Sequence, residues 1–376
     1  MSTFLINCSN LKAGGGLQVA DSICVQLDNY QRHRFVVVLS KFLNETQEKV
    51  KNFKNLKVYE YDVKSDARTV VLGRDGFLDG LVKEHHVDAV LTVFGPSRWI
   101  PRVPHLSGFA LPQIVIPESP FFTRMNTMEK MKWKFWCAIR KWSLKRSADS
   151  YWTENSYISA RLSRLMCTNK VFTVSNYYNQ VFDMPEKWKR TITLPQFDGV
   201  TCLSVASPSS HKNFGIIEGM VRSLRKTHPD FMVRFVLTFD EKQWSFAEDV
   251  RENIVYVGRM EVSECPYLYE QADIMFMPTL LECFSATYPE AMRMGIPIVT
   301  TDLEFARGLC DEAACYYSAI DPAAAAESIY KVATDKLYAD QLAANGKEQL
   351  KKFDNYEQRA DKLIGILERI AKNRYV

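Results

Sequence analysis

Short apolar runs alternate with stretches of helical period along most of the chain. Residues 4–8 (FLINC), 34–39 (RFVVVL), 58–61, 87–93 and 113–116 read as strands, with helices over 17–27 and 75–85. Three consecutive glycines, Gly14, Gly15 and Gly16, fill the loop after the first strand. β-Branched runs separated by helices signal a parallel sheet covered on both faces. From 124 to 166 the pattern changes to one long, basic, helical stretch, followed by a strand over 171–174. Residues 176–197 hold turns, two prolines (Pro185, Pro195) and little period, and read as a linker. The alternation then restarts, with strands over 202–206, 231–238, 254–257, 274–278 and 298–300. Helices are predicted over 214–226, 265–271, 288–294 and 323–333, and nearly continuously from 335 to 376 with a break near Asn355. The expected class is α/β: two Rossmann-like, doubly wound domains facing a cleft. The first covers 1–180 and the second 195–355, and a last helix, 356–376, is expected to pack back on the first domain.

Composition narrows the function classes. A chain of 376 residues, 47% hydrophobic and 24% charged, suits two folded domains. A net charge of +4 gives no reason to expect a nucleic-acid partner. The nine cysteines form no CxxC pair and the six histidines no HExxH, so reduced thiols, no structural metal and a cytoplasmic setting are expected. The first ten residues lack the basic and apolar segments of a signal peptide. No apolar run approaches the roughly 18 residues of a spanning helix. Residues 124–146, however, hold eight Lys/Arg against one acid, Glu129, with Trp133, Trp136 and Trp142 among them. Such a helix either rests on an anionic membrane surface or is a solvated helix with its tryptophans turned inward.

Residues 272–306 (ADIMFMPTLLECFSATYPEAMRMGIPIVTTDLEFA) concentrate the chemistry. A buried strand runs into a loop with Glu282, which feeds a helix carrying Glu290 and ending at Gly295. The amides of Phe284, Ser285, Ala286 and Thr287 fall at or just before the helix start, where N–H groups lack helical partners and suit an anion. The hydroxyls of Ser285 and Thr287 add donors, and the two carboxylates can bind neutral hydroxyl groups on either side. A sugar joined through a diphosphate to a nucleoside has that layout.

This segment resembles the donor motif of family 4 glycosyltransferases, E-x7-E followed by A-M-x-x-G-x-P-x-V. The resemblance covers most of the chain, including the glycine loop, the linker position and the last helices. It implies the GT-B fold and a retaining transfer from a nucleotide sugar, UDP- or GDP-linked, to a glycan or lipid-linked glycan. It further implies a place in cell-surface polysaccharide (lipopolysaccharide or capsule) synthesis, at the inner face of the plasma membrane if the protein is peripheral. Glu282 would contact the transferred sugar and Glu290 the ribose hydroxyls, and Asp302 also fits the pattern. Lys212, in SVASPSSHKNFGIIEGM, matches the lysine that holds the diphosphate, and Gly258, Arg259 and Met260 match the nucleobase position. Gly15 and Gly16 would line the cleft near the donor phosphates. No DxD pair is present, which agrees with the metal-independent, cofactor-free pattern.

Two departures stand out. Ser207 replaces the arginine expected five residues before Lys212, leaving Arg259 as the candidate second clamp. Pro117, Glu118 and Ser119 stand where many members place a histidine, which makes Glu118 the candidate catalytic group on the acceptor side and His105 structural or incidental. These departures keep open a non-catalytic glycan- or nucleotide-binding subunit. A nucleotide-sugar epimerase of the same architecture is a further alternative, disfavoured by the E-x7-E context. A nicotinamide oxidoreductase fits poorly: the glycine fingerprint lacks its third glycine, and the second strand ends in Ser40 and Lys41 without an acid for ribose.

Overall fold

The computed structural model describes residues 1–63 and 71–372. In chain order its elements are β1 (Thr3–Cys8), α1 (Gly15–Cys24), β2 (Arg34–Leu39), α2 (Asn44–Val50), β3 (Leu56–Glu60), α3 (Gly76–Glu84), β4 (Ala89–Thr92) and β5 (His105–Gly108). There follow α4 (Pro112–Val115), α5 (Pro120–Thr123), α6 (Thr127–Ser147), β6 (Ser150–Thr153), α7 (Ser156–Met166), β7 (Val171–Thr173), β8 (Val200–Ser204), α8 (Ile216–Thr227), β9 (Val233–Leu237) and β10 (Ile254–Tyr256). The remainder is α9 (Cys265–Tyr269), β11 (Ile274–Met277), α10 (Thr287–Met294), β12 (Ile298–Thr301), α11 (Glu304–Cys310), β13 (Ala314–Tyr317), α12 (Pro322–Thr334), α13 (Lys336–Leu350) and α14 (Tyr356–Lys372).

The chain divides into two compact units, the first made of Met1–Pro117, Asn126–Asn176 and Asp354–Val376, the second of Glu118–Met125 and Tyr177–Phe353. The first holds a seven-stranded sheet of order β3-β2-β1-β4-β5-β6-β7, the second a six-stranded sheet of order β10-β9-β8-β11-β12-β13. Among the described residues every pairing is parallel. This explains the continuous apolar runs: strands such as β9 and β11 are buried along their whole length, with both faces covered.

In the first unit, Phe4, Ile6, Val37 and Leu91 meet Ala20 and Ile23 of α1 and Leu363, Ile364 and Leu367 of α14 in one core. Thus α14 packs on the first sheet although it follows the second in sequence. Its Arg359 is buried and donates to Asn176 Oδ1 and Ser22 Oγ. Burial lowers this guanidinium to about 10. In the second unit Phe235 and Phe276 pack against Ile217, Met220 and Leu224 of α8. Each sheet reverses its direction of strand addition once, between β1 and β4 and between β8 and β11. Doubly wound sheets bind ligands outside the carboxyl ends of the strands at such points.

Several expectations are corrected. Residues 113–116 are not a strand: 113–115 belong to the short helix α4, and Ile116 follows it. Pro112 stands at its first position, and β5 and β6 pair directly, leaving no slot between them. The stretch 124–166 is not one helix: β6 interrupts it, buried at every residue. Residues 118–125 cluster with the second unit, although the sequence boundary near 180 assigned them to the first. Helices α2, α5 and α11 and strands β5 and β13 went unread. The final helix is continuous to Lys372, and the end of the stretch expected to reach Val376 lies outside the described residues.

Candidate active site

The second unit gathers its chemistry at the switch between β8 and β11. Thr201 N donates to Asp273 Oδ2 at 2.8 Å and Ser204 Oγ to Phe276 O at 2.5 Å, pinning the two strands side by side. The loop after β8 delivers His211 and Lys212, and the loop after β11 delivers Glu282. Lys212 Nζ bonds Glu282 Oε1, both side chains about seven-eighths buried. Leu280 N donates to His211 O at 2.8 Å, so the loops are joined through backbone as well. Thr279 Oγ1 lies 3.4 Å from Glu282 Oε1, and His211 Nε2 lies 4.0 Å from it. Burial pushes His211 below its ordinary value, opposed by the Glu282 carboxylate.

Helix α10 begins at Thr287, five residues after Glu282 in the same loop. Its N-cap is Ala286, which offers no side-chain acceptor. Ser285 Oγ and Thr287 Oγ1 bond each other at 2.8 Å. The first-turn amides are therefore uncapped by side chains, and their dipole points at the Glu282 loop. Gly295 closes the helix at φ 73°, a left-handed conformation that a side chain would strain.

Glu290, in the first turns of α10, is buried, and Tyr269 donates its hydroxyl to Oε2 at 3.1 Å. Burial raises the carboxyl to about 7, although the tyrosine favours the ionised form. A group so poised, beside a phosphate-suited helix start, is a binding-site candidate.

Elsewhere in the second unit, Phe284 packs edge-on against Phe353. Gly258 takes a left-handed φ of 74° after β10, with Arg259 exposed and Met260 half-buried beside it. Ser207 is exposed, and Asp302 is held by Arg307 at 2.5 Å, which lowers its carboxyl. Glu118 is exposed in the second unit. Its neighbour Ser119 is buried and donates Oγ to Leu280 O at 2.6 Å, while Phe121 sits edge-on to His211. The segment carrying Glu118 thus touches the Glu282 loop itself. Sequence reasoning missed His211, Tyr269, Thr279 and Ser119, and only the adjacency of His211 to Lys212 could have signalled one of them.

Gly15 and Gly16 belong to the first unit, at the start of α1, with Gly14 left-handed at φ 72° ahead of them. An added Cβ at Gly15 would meet nothing within 4 Å. At the carboxyl edge of the first sheet lies a cleft of 660 Å³, lined by Ser9 and Asn10 after β1, Gly95 and Ser97 after β4, and Trp136 and Arg140 of α6. His105 is structural: it is buried in β5, its Nε2 accepts from Thr92 Oγ1 at 2.8 Å and its Nδ1 donates to Ser147 O. Burial lowers it to about 4, which keeps it neutral.

Comparison with known proteins bears on the second unit's sequence and on the fold. Residues 200–335, the core of the second unit, match the family described as Glycosyl transferases group 1. An uncharacterized glycosyltransferase of Haemophilus influenzae is 25% identical over 136 residues, 35% of this chain and 36% of that protein, so the match spans about a third of the relative's length. Among solved structures, a glycosyltransferase from Rickettsia africae is similar over 99% of both chains, with a TM-score of 0.71 at 14% identity. Anabaena Alr3699/HepE, solved in complex with UDP and glucose, is similar over 98% of this chain and all of that one, with a TM-score of 0.63 at 14% identity. The fold is GT-B: two parallel α/β sheets of Rossmann type.

Proposed function

We propose that this chain is a retaining glycosyltransferase that moves a sugar from a nucleoside-diphosphate sugar to a glycan or lipid-linked glycan, in the synthesis of a cell-surface polysaccharide. The observation that carries the reading is the meeting of Lys212 and Glu282 at the β8–β11 switch, directly before the uncapped start of α10. The diphosphate lies against Lys212 and the first-turn amides, Glu282 orients the sugar hydroxyls, and Glu290 accepts from the ribose. As the anomeric bond breaks, negative charge grows on the departing diphosphate, and preformed positive groups stabilise that charge. This work falls to the protein's own cation and amides rather than to a metal. Gly258, Arg259 and Met260 are assigned to the base, and Gly15 and Gly16 to donor binding. Glu118 is assigned to the acceptor hydroxyl.

Ligands that bind the native state raise its melting temperature. In a thermal-shift panel of UDP, GDP, ADP and their sugars, one nucleotide series is expected to raise the melting temperature by several degrees. A flat panel would sink the donor assignment.

A further inference from the structure

Helix α6 carries a long exposed apolar face, whose Trp136, Ile139 and Trp142 also line the cleft at the carboxyl edge of the first sheet. Met128 and Met131 are each 67% exposed, Phe135 65%, Trp136 56% and Trp142 52%. Positions 128, 131, 135, 139 and 142 recur at spacings of three and four, so they form one stripe along the helix, with Trp136 beside it. The inward face is a different one: Leu144 is buried, Trp133 and Cys137 are half-buried, and Cys137 Sγ bonds Gln113 O of α4 at 3.6 Å. Along one flank of the stripe run Lys130, Lys134, Lys141 and Lys145. In all, α6 holds seven lysines and arginines against Glu129, in a chain whose net charge is +4. The helix also is firmly started, since Asn126 and Glu129 form a reciprocal capping box.

We propose that this face is a docking surface for an anionic lipid bilayer, with α6 lying in the plane of the interface. Rings and thioethers would enter the headgroup boundary while the flanking lysines meet lipid phosphates. A second copy of the chain is a poorer occupant, because antiparallel pairing of the stripe with itself brings the lysine flanks together and parallel pairing leaves each flank without an opposite charge. Spanning is excluded for α6: no helix among the described residues is long and apolar enough to cross a membrane. The surface goes beyond the transferase reading and does not depend on it.

The test is cosedimentation with vesicles of phosphatidylglycerol and phosphatidylcholine, against vesicles of phosphatidylcholine alone, without any nucleotide sugar. The protein is expected to sediment with the anionic vesicles, about tenfold or more weakly with the neutral ones, and to come off in high salt. Replacing Lys130, Lys134, Lys141 and Lys145 by glutamine should remove the preference for anionic lipid, and Met131→Ser with Phe135→Ser should reduce binding to both. Fluorescence of the wild type with brominated lipid gives the same answer without substitution, since Trp136 and Trp142 are expected to be quenched. Equal sedimentation of wild type and variants, no quenching, or a dimer dissolved by the Phe135 variant without vesicle binding would each overturn the proposal.

Discussion

Replacing Lys212 by alanine is expected to lower kcat for sugar transfer by about two orders of magnitude or more, the scale of removing one preformed charge stabiliser. Two effects act together. The departing diphosphate loses the cation that would meet it, and Glu282, largely buried, loses its lysine ion-pair partner. Lys212→Arg keeps the charge but not the compact ammonium, so partial recovery is expected. Steady-state release of nucleoside diphosphate reads both variants. Activity within about threefold of wild type would move the phosphate clamp elsewhere, with exposed Arg259 the first candidate.

The second large effect is expected at Glu290, where the signal is a pH dependence. Its carboxyl titrates at about 7, raised by burial. Ribose hydroxyls donate best to the ionised form, so nucleotide affinity should be about tenfold weaker at pH 6 than at pH 8. Glu290→Gln should flatten this profile and weaken binding at pH 8 by roughly tenfold to a hundredfold. Stability should move oppositely. The folded state holds the proton up to about pH 7, whereas the ordinary value is 4.5, so stability falls as pH rises through that window. Relative to wild type, Glu290→Gln should therefore gain about 3 kcal/mol between pH 4 and pH 8. A nucleotide-affinity profile that keeps the wild-type pH dependence in Glu290→Gln would remove Glu290 from the nucleotide site, and an unchanged calorimetric pH profile would remove the raised carboxyl.

The sheets were legible because their central strands are apolar on both faces, and a short β-branched run bounded by turns is buried most readily inside a parallel sheet. β5 was not legible. It reads HLSG, yet every residue is buried, because Thr92 and Ser147 satisfy His105 from neighbouring elements. Tertiary pairing supplies what the local pattern lacks. β6 was hidden for the opposite reason: no glycine or proline separates it from the helices on either side. The donor motif was legible because it is local, one strand, loop and helix in sequence. The partnership of Lys212 and Glu282, seventy residues apart, depends on β8 lying beside β11. The docking of residues 118–125 on the second unit rests on a hydroxyl meeting a backbone carbonyl, Ser119 on Leu280, which no residue pattern encodes. On α6, the charge and the tryptophans were visible in sequence, but which face turned outward was not.

Turnover decides whether the chain transfers a sugar. Purified protein is incubated with the nucleotide sugar selected by thermal shift and with a lipid-linked glycan extract, and free nucleoside diphosphate and glycosylated product are quantified together. Both are expected to appear in equal amounts, and to fall about a hundredfold or more in Lys212→Ala. Nucleotide-sugar binding without release of nucleoside diphosphate would contradict the transferase reading and leave a binding subunit. Conversion of the donor sugar with the diphosphate still attached would contradict it in favour of an epimerase.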